Sequence, residues 1–284
     1  MPNRGKTTWT NRVAPEPRPL VPKFRVPEYA VILRSVGNGL FRLLPGRPVP
    51  GVPLELHADA GRGLFLFIPE VRTRDGALFC FHGGGLIFGH PTTDDWFGAE
   101  IARNLGIVVA SVRYHLAPAH PYPAAIDDCH DAWTWLLRNT STFATDPAWI
   151  AIGGQSAGGG PAAALVQRAC DGGAHYPMAK WLICPTLDKG RAARRDLDAE
   201  KHVVWDNRLN SFGWRADLGS IPGGSATPPF AVHARRDDVT NNPPAWIGVG
   251  DIDLFFNEHV AYAERLIAAG LLTLEVVPGS APRF

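Results

Sequence analysis

A chain of 284 residues with 45% hydrophobic and 19% charged residues has the composition of a globular protein with a sizeable core. The formal net charge of +1 gives no basis for a nucleic-acid partner, and no apolar run reaches the roughly 18 residues that a membrane span needs. The cysteines (Cys80, Cys129, Cys170 and Cys184) show no CxxC spacing, so we expect reduced thiols and a cytoplasmic protein.

The N-terminal region differs from the rest of the chain in charge and proline content. Residues 1–50 hold nine Lys or Arg against two acids, and prolines are frequent from Pro15 to Pro27. One stretch has apolar residues at the spacing of an amphipathic helix: Tyr29, Ile32, Val36, Leu40 and Leu44. We assign residues 1–55 to an N-terminal cap or arm. It is either a cap element over a pocket or a partly disordered arm with one docking helix.

Beyond residue 60, short apolar runs alternate with helical segments. The runs predict strands at 63–68, 77–81, 107–112, 149–152, 181–184, 245–249 and 272–277. Helical periodicity predicts helices at 96–105, 123–138, 157–170 and 257–269. Several of the strands are apolar without alternation, as expected when helices cover both faces of a parallel sheet. Residues 56–284 are therefore predicted to form an α/β domain with a mostly parallel sheet.

A candidate nucleophile follows the fourth predicted strand. The segment Gly154-Gln155-Ser156-Ala157-Gly158 matches the pattern Gly-x-Ser-x-Gly. It lies between a predicted strand and a predicted helix, which is the context of a nucleophile elbow. Glycines two positions before and after the serine let the neighbouring backbone approach without Cβ clashes. Ser156 is the predicted nucleophile. The alternative is a glycine-rich turn with a passive serine.

A second motif, His82-Gly83-Gly84-Gly85, directly follows a predicted strand. Consecutive glycines leave backbone N–H groups unshielded, and convergent N–H groups hold an oxyanion. We predict an oxyanion hole made by the N–H groups of Gly84, Gly85 and Ala157, each donor being worth about 2.7–4 kcal/mol of the reaction barrier. His82 and Gly83 support this motif, and we expect a structural rather than a catalytic role for the histidine.

These motifs and two further segments resemble the hormone-sensitive-lipase family of α/β-hydrolases, also called the bacterial family IV esterases. Residues 111–128 are similar to the family's YRLAPEHPFPAALED segment, and residues 242–253 also fit. The resemblance runs from roughly Leu64 to Gly279. It implies the α/β-hydrolase fold, with a helical cap built from the N-terminal arm and an insertion at about 189–236. It also implies hydrolysis of small carboxylic esters with short or medium acyl groups, without a cofactor or metal.

The resemblance also implies the triad acid. It lies three residues after the glycine that ends a strand, which is Asp253, and Asp251 is the alternative. Loops after strand ends face the active-site edge of such a sheet. Gln155 stands where the family most often has Asp or Glu, and we expect it to support the elbow through a hydrogen bond.

The family carries its catalytic histidine after the last strand, in a phrase similar to P-G-x-x-H-G-F. That position falls on Pro282, which has no titratable group, and the family's last helix would follow Phe284. His259 could replace the histidine only if its helix moved. We expect a C-terminally truncated carboxylesterase with impaired activity, and exposed apolar surface that a homodimer could cover. The alternative is an inactive, ligand-binding protein, similar to the plant gibberellin receptors of the same family.

Overall fold

The computed structural model describes residues 13–15, 38–39, 46–173, 175–200, 202, 205–224 and 227–280. These residues contain the strands β1 (Leu54–His57), β2 (Leu64–Phe67), β3 (Ala77–Phe81), β4 (Val108–Val112), β5 (Ile150–Gln155), β6 (Ala179–Ile183), β7 (Ala245–Gly250) and β8 (Leu272–Val277). The strands form a single sheet in the order β1-β2-β4-β3-β5-β6-β7-β8. β2 pairs antiparallel with β1 and with β4, and all other neighbours are parallel. The carboxyl ends of the parallel strands therefore meet at one edge.

Six α-helices lie in the described residues: α1 (Asp95–Leu105), α2 (Ala124–Arg138), α3 (Gly159–Gly172), α4 (Gly190–Ala193), α5 (Asn207–Leu218) and α6 (Phe256–Ala268). α6 ends where the sequence predicts. Gly270 takes the left-handed conformation at φ 73°, and the next N–H donates to the carbonyl of Leu266 at 2.9 Å. None of the helices in the described part of the chain is long and apolar enough to cross a bilayer.

Apolar side chains pack on both faces of the sheet. On one face α2, α3 and α6 cover a large core that includes the fully buried Phe79, Ile152 and Leu182. On the other face α1 covers a smaller cluster around Phe67 and Val109. This arrangement confirms the prediction of a mostly parallel sheet with helices on both faces.

The predicted cap insertion contains α4 and α5. The Asp206 carboxylate caps α5, because it accepts hydrogen bonds from the N–H groups of the second and third residues that follow it. Leu209 of α5 packs with Ile87 and Ala117 from the loops that follow β3 and β4. The insertion therefore packs on loops at the carboxyl edge of the sheet.

One strand was missed by the sequence prediction, and one predicted helix lies mostly outside the described residues. β1 was missed, and it begins inside the interval assigned to the N-terminal arm, so the boundary between residues 55 and 56 cuts through a strand. β1 is an edge strand whose first three residues are exposed, and it therefore lacks the apolar run used to find the others. The amphipathic helix predicted from Tyr29 to Leu44 lies outside the described residues, except for the helical positions 38 and 39.

An apolar groove of about 810 Å³ lies on the same sheet face as α1. Its walls include Leu78, Ile101, Trp149, Met178 and Trp181. The Trp149 side chain is 58% exposed. This face of the sheet therefore carries exposed apolar surface.

Candidate active site

Ser156 lies at the carboxyl end of β5, near the centre of the sheet. Its φ angle is +50°, a conformation that costs a non-glycine residue free energy and is held by its surroundings. Its carbonyl accepts a hydrogen bond from the N–H of Thr186 at 2.9 Å. A Cβ on Gly158 would lie 2.3 Å from the carbonyl oxygen of Phe81, so only glycine fits there. Gly154 precedes the turn. The segment has the geometry of a sharp strand-to-helix elbow.

The loop after β3 packs directly against this elbow. A Cβ added to Gly83 would lie 3.4 Å from the Cβ of Ser156. Gly84 and Gly85 have φ angles of +123° and +63°, and within the described residues their N–H groups donate to no acceptor. Ala157, the third predicted donor, is fully buried directly after the serine. The loop that packs against Ser156 therefore carries two N–H groups without an acceptor among the described residues.

His82 holds the loop in place. Its ring is buried, stacks on the ring of Tyr114 with centroids 4.3 Å apart, and contacts the carbonyl of Gly83 at 2.8 Å. The Tyr114 hydroxyl donates to the carbonyl of His82 at 2.6 Å. Burial lowers the pKa of His82, so the ring is kept neutral. These contacts agree with the structural role expected for this histidine.

The N-terminal arm reaches the same loop. The Asn38 side chain donates to the carbonyl of Ile87 at 3.0 Å and accepts the N–H of Gly89 at 3.1 Å. Both bonds fix the segment immediately after the glycine triplet.

Gln155 supports the elbow through a partner that the sequence did not reveal. Its amide Nε2 donates to the carboxylate of Asp94 at 2.8 Å. Asp94 immediately precedes α1 and lies 61 positions before Gln155 in the chain. The resemblance implies a carboxylate at position 155 itself. In this chain the carboxylate beside the elbow belongs instead to Asp94.

The two candidate acids have very different environments. Asp251 is exposed, and its carboxylate accepts the N–H of Gly279 at 2.7 Å, which ties down the turn after β8. Asp253 is 4% exposed; its Oδ1 accepts the N–H of Phe255 at 2.7 Å, and its buried Oδ2 has no hydrogen-bond partner. Burial raises the pKa of Asp253 to about 6, opposed by that N–H and by the Cys184 thiol. Asp253 thus has a buried acceptor oxygen without a hydrogen-bond partner, whereas Asp251 lies at the surface and is tied to the turn after β8.

Ser156 and Asp253 follow β5 and β7, which are separated by β6. Strands two apart in a sheet are roughly 9–10 Å apart, too far for direct contact between the two side chains. The loop after β6 contacts both sides: Thr186 bonds to Ser156, and Cys184 lies beside Asp253. A link between the Ser156 and Asp253 side chains would therefore need a bridging group.

His259 does not supply this group. It is fully buried, and its Nε2 bonds to the carbonyl of Pro185. Burial lowers its pKa to about 4. Pro282, at the position that the resemblance assigns to the histidine, lies outside the described residues. Within the described ranges no three His, Cys, Asp or Glu side chains come together as a metal site.

Comparison with known proteins identifies the family. A family profile described as the alpha/beta hydrolase fold matches residues 78–281, which is more than half of the chain. The chain therefore belongs to the α/β-hydrolase family, in its branch similar to hormone-sensitive lipase.

Relatives in this family are esterases. Esterase LipI and carboxylesterase NlhH of Mycobacterium tuberculosis are each 32% identical to the chain and cover 67% and 72% of it. The matches span 59% and 64% of the two relatives, so the chain covers less than two thirds of their length. An AB hydrolase superfamily protein of Schizosaccharomyces pombe is 30% identical over 87% of the chain and 77% of its own length. These similarities make the chain a member of a carboxylesterase family.

Solved structures of esterases are also similar to this chain. A bacterial heroin esterase is similar with a TM-score of 0.86 and 28% identity, covering 97% of this chain and 92% of that one. Esterase LipW from Mycobacterium marinum has a TM-score of 0.81 and 29% identity, covering 97% and 89%.

Proposed function

We propose that this chain hydrolyses small carboxylic esters with short or medium acyl groups, using Ser156 as nucleophile. The observation that carries the proposal is the strained serine at the end of β5, with the glycine-rich loop packed against it. Serine at positive φ on a strand-to-helix turn projects its hydroxyl from the sheet edge. The esterase relatives support the same reaction class.

In the proposed reaction the Ser156 hydroxyl oxygen attacks the ester carbonyl, while its proton passes to a water molecule, because neither Pro282 nor the buried His259 serves as the base. The carbonyl oxygen becomes an oxyanion that accepts the N–H groups of Gly84, Gly85 and Ala157. The alcohol leaves with the proton, and water then releases the acid from Ser156 by the same steps in reverse order. The free Oδ2 of Asp253 is the acceptor that would orient the base and stabilise its protonated form.

We also propose that the esterase activity of this chain is impaired, because Pro282 stands at the position that the resemblance assigns to the catalytic histidine. A proline cannot take the serine proton, and triad residues act as a unit. Loss of one can cost about 10⁶-fold in rate, leaving about 10³–10⁴-fold over water from the oxyanion hole and binding. We therefore propose that the chain hydrolyses esters slowly.

Hydrolysis of 4-nitrophenyl acetate, butyrate and octanoate tests the proposal, with Ser156→Ala as the matched control. We expect slow turnover by the parent chain and none above background in the control. Equal rates for the two proteins would contradict the role of Ser156. That outcome would favour the alternative function, an inactive ligand-binding protein.

A gain of activity tests the position of the base. Pro282→His should raise the hydrolysis rate of 4-nitrophenyl acetate, because general-base catalysis contributes roughly 10²–10⁴-fold. Pro282→Ala is the control, since it removes the proline without adding a base. A Pro282→His rate no higher than that of Pro282→Ala would show that a histidine at this position does not reach the serine.

A further inference from the structure

A small cavity lies between α5, in the insertion, and α3, the helix that follows Ser156. Its walls include Gly160 and Pro161 of α3, Thr186 of the loop after β6, and Trp214 and Asp217 of α5. The cavity volume is about 30 Å³. A volume of about 10–15 Å³ on this measure holds one water molecule, so there is room for one small polar group.

The cavity lies beside the proposed nucleophile. Gly160 is four residues after Ser156, which is about 6 Å along a helix. Thr186, on another wall, donates its N–H to the carbonyl of Ser156 at 2.9 Å. Leu86, a third wall residue, directly follows the glycine triplet. The cavity wall is therefore built from residues that closely follow the elbow and the glycine triplet or bond to the elbow backbone.

The Asp217 carboxylate lines this cavity without a hydrogen bond. Its side chain belongs to a residue that is 8% exposed, and it accepts no hydrogen bond from any described residue. The two nearby tyrosine hydroxyls are engaged elsewhere: Tyr114 donates to His82 and Tyr122 to the carbonyl of Pro229. Burial raises the pKa of Asp217 to about 7, and no neighbouring cation opposes the rise. A buried, unpaired carboxylate is costly, and it is normally satisfied by a partner.

Two other wall residues also have unpaired polar atoms. The indole Nε1 of Trp214 and the Nδ1 of His233 are buried and have no partner among the described residues. Burial, together with the charge of Lys180, lowers the pKa of His233 to about 3, so this ring is neutral and cannot serve as a counter-ion for Asp217. The aromatic rings of Trp214, Tyr122 and Phe230 form much of the remaining wall.

We propose that this cavity is a substrate subsite for a primary ammonium group, with the Asp217 carboxylate as its counter-ion. Aromatic faces attract cations, and a carboxylate accepts the N–H bonds of an ammonium group. The small volume admits a primary ammonium group and excludes a trimethylated one. The inference rests on the proposed function in one respect: it makes the substrate an amino ester whose amine is a short alkyl chain away from the ester carbonyl.

Calorimetric titration of the full chain with n-butylammonium chloride at pH 8 tests the subsite. 1-Butanol serves as a neutral probe of similar length, and tetramethylammonium chloride as an oversized cation. We expect butylammonium to bind at least tenfold more tightly than either. Asp217→Asn should weaken butylammonium binding at least tenfold, whereas Asp131→Asn, on an exposed site of α2, should leave it unchanged.

The result that overturns the proposal is equal binding of butylammonium and 1-butanol, or butylammonium binding that survives Asp217→Asn. Circular dichroism establishes that each variant is folded. The same titration with Ser156→Ala separates the two proposals, because it needs no hydrolysis. Tight, Asp217-dependent binding in a chain without esterase activity would refute the proposed function and keep the subsite. Ester hydrolysis without butylammonium binding would refute the subsite and keep the proposed function.

Discussion

The unpaired carboxylate of Asp217 should make the folded protein less stable at high pH, and Asp217→Asn should remove this effect. The pKa of Asp217 is about 7 in the folded chain against 3.8 for an unperturbed Asp. Well below pH 3.8 the group is protonated in both the folded and the unfolded state and costs nothing. As the pH rises toward 7, the unfolded state loses its proton first, so the free energy of unfolding falls.

The size of the effect follows from the two pKa values. A difference of about 3 corresponds to about 4 kcal/mol, reached once the pH exceeds 7. Asparagine has nearly the same shape and does not titrate. The stability of Asp217→Asn relative to the parent should therefore rise by up to about 4 kcal/mol between pH 4 and pH 8. Such a gain would mean that the chain keeps a destabilising residue at a binding site.

Neighbouring groups do not mask this effect. Burial raises the pKa values of Tyr114 and Tyr122 above 10, and that of His233 lies near 3. None of these groups changes charge between pH 4 and pH 8, so the difference between the parent and the variant reports on Asp217.

Urea unfolding followed by circular dichroism at pH 4, 5, 6, 7 and 8 measures the difference directly. The exposed Asp131→Asn serves as control, and its difference from the parent should stay within about 0.5 kcal/mol over this range. A difference between Asp217→Asn and the parent that is equally flat would refute the reasoning, because it would mean that Asp217 is already paired or solvated.

Two further predictions concern the elbow and its supporting loop. Gly158→Ala should unfold or strongly destabilise the chain, because its Cβ would lie 2.3 Å from the carbonyl oxygen of Phe81. The control Gly172→Ala, whose Cβ would meet nothing within 4 Å, should be neutral or slightly stabilising. Similar melting temperatures for the two variants would contradict the close approach at Gly158. Tyr114→Phe should cost about 1–3 kcal/mol in urea unfolding because it leaves the buried carbonyl of His82 without its donor, and an unchanged unfolding midpoint would rule out that hydrogen bond.

The sequence was most informative where the site is continuous in the chain. The elbow around Ser156 and the loop from His82 to Gly85 are each a few adjacent residues, and strand and helix patterns surround them. Local chemistry therefore sufficed to predict both segments and the type of sheet that holds them. Their contact, with Gly83 against Ser156, follows because β3 and β5 are neighbours in a parallel sheet.

Features that depend on distant contacts could not be predicted in this way. Gln155 was identified, but its partner Asp94 is 61 positions away on another element. The resemblance placed Asp253 ahead of Asp251 by its position after the glycine, but the difference in burial and hydrogen bonding between the two could not be predicted. Asp217 lies on α5, a helix with many polar residues and no clear apolar period, so neither the helix nor its unpaired carboxylate was visible.

The apolar groove on the α1 side of the sheet affects how these stability measurements should be made. Environment-sensitive dyes become fluorescent when they bind exposed apolar surface. The folded chain already offers such a surface in this groove, whose volume is about 810 Å³. A dye-based melting curve would start from a high signal and confuse binding to the native groove with unfolding. Trp149, more than half exposed on the groove wall, would also respond to any molecule that binds there, so its emission can serve as a built-in sensor of groove occupancy.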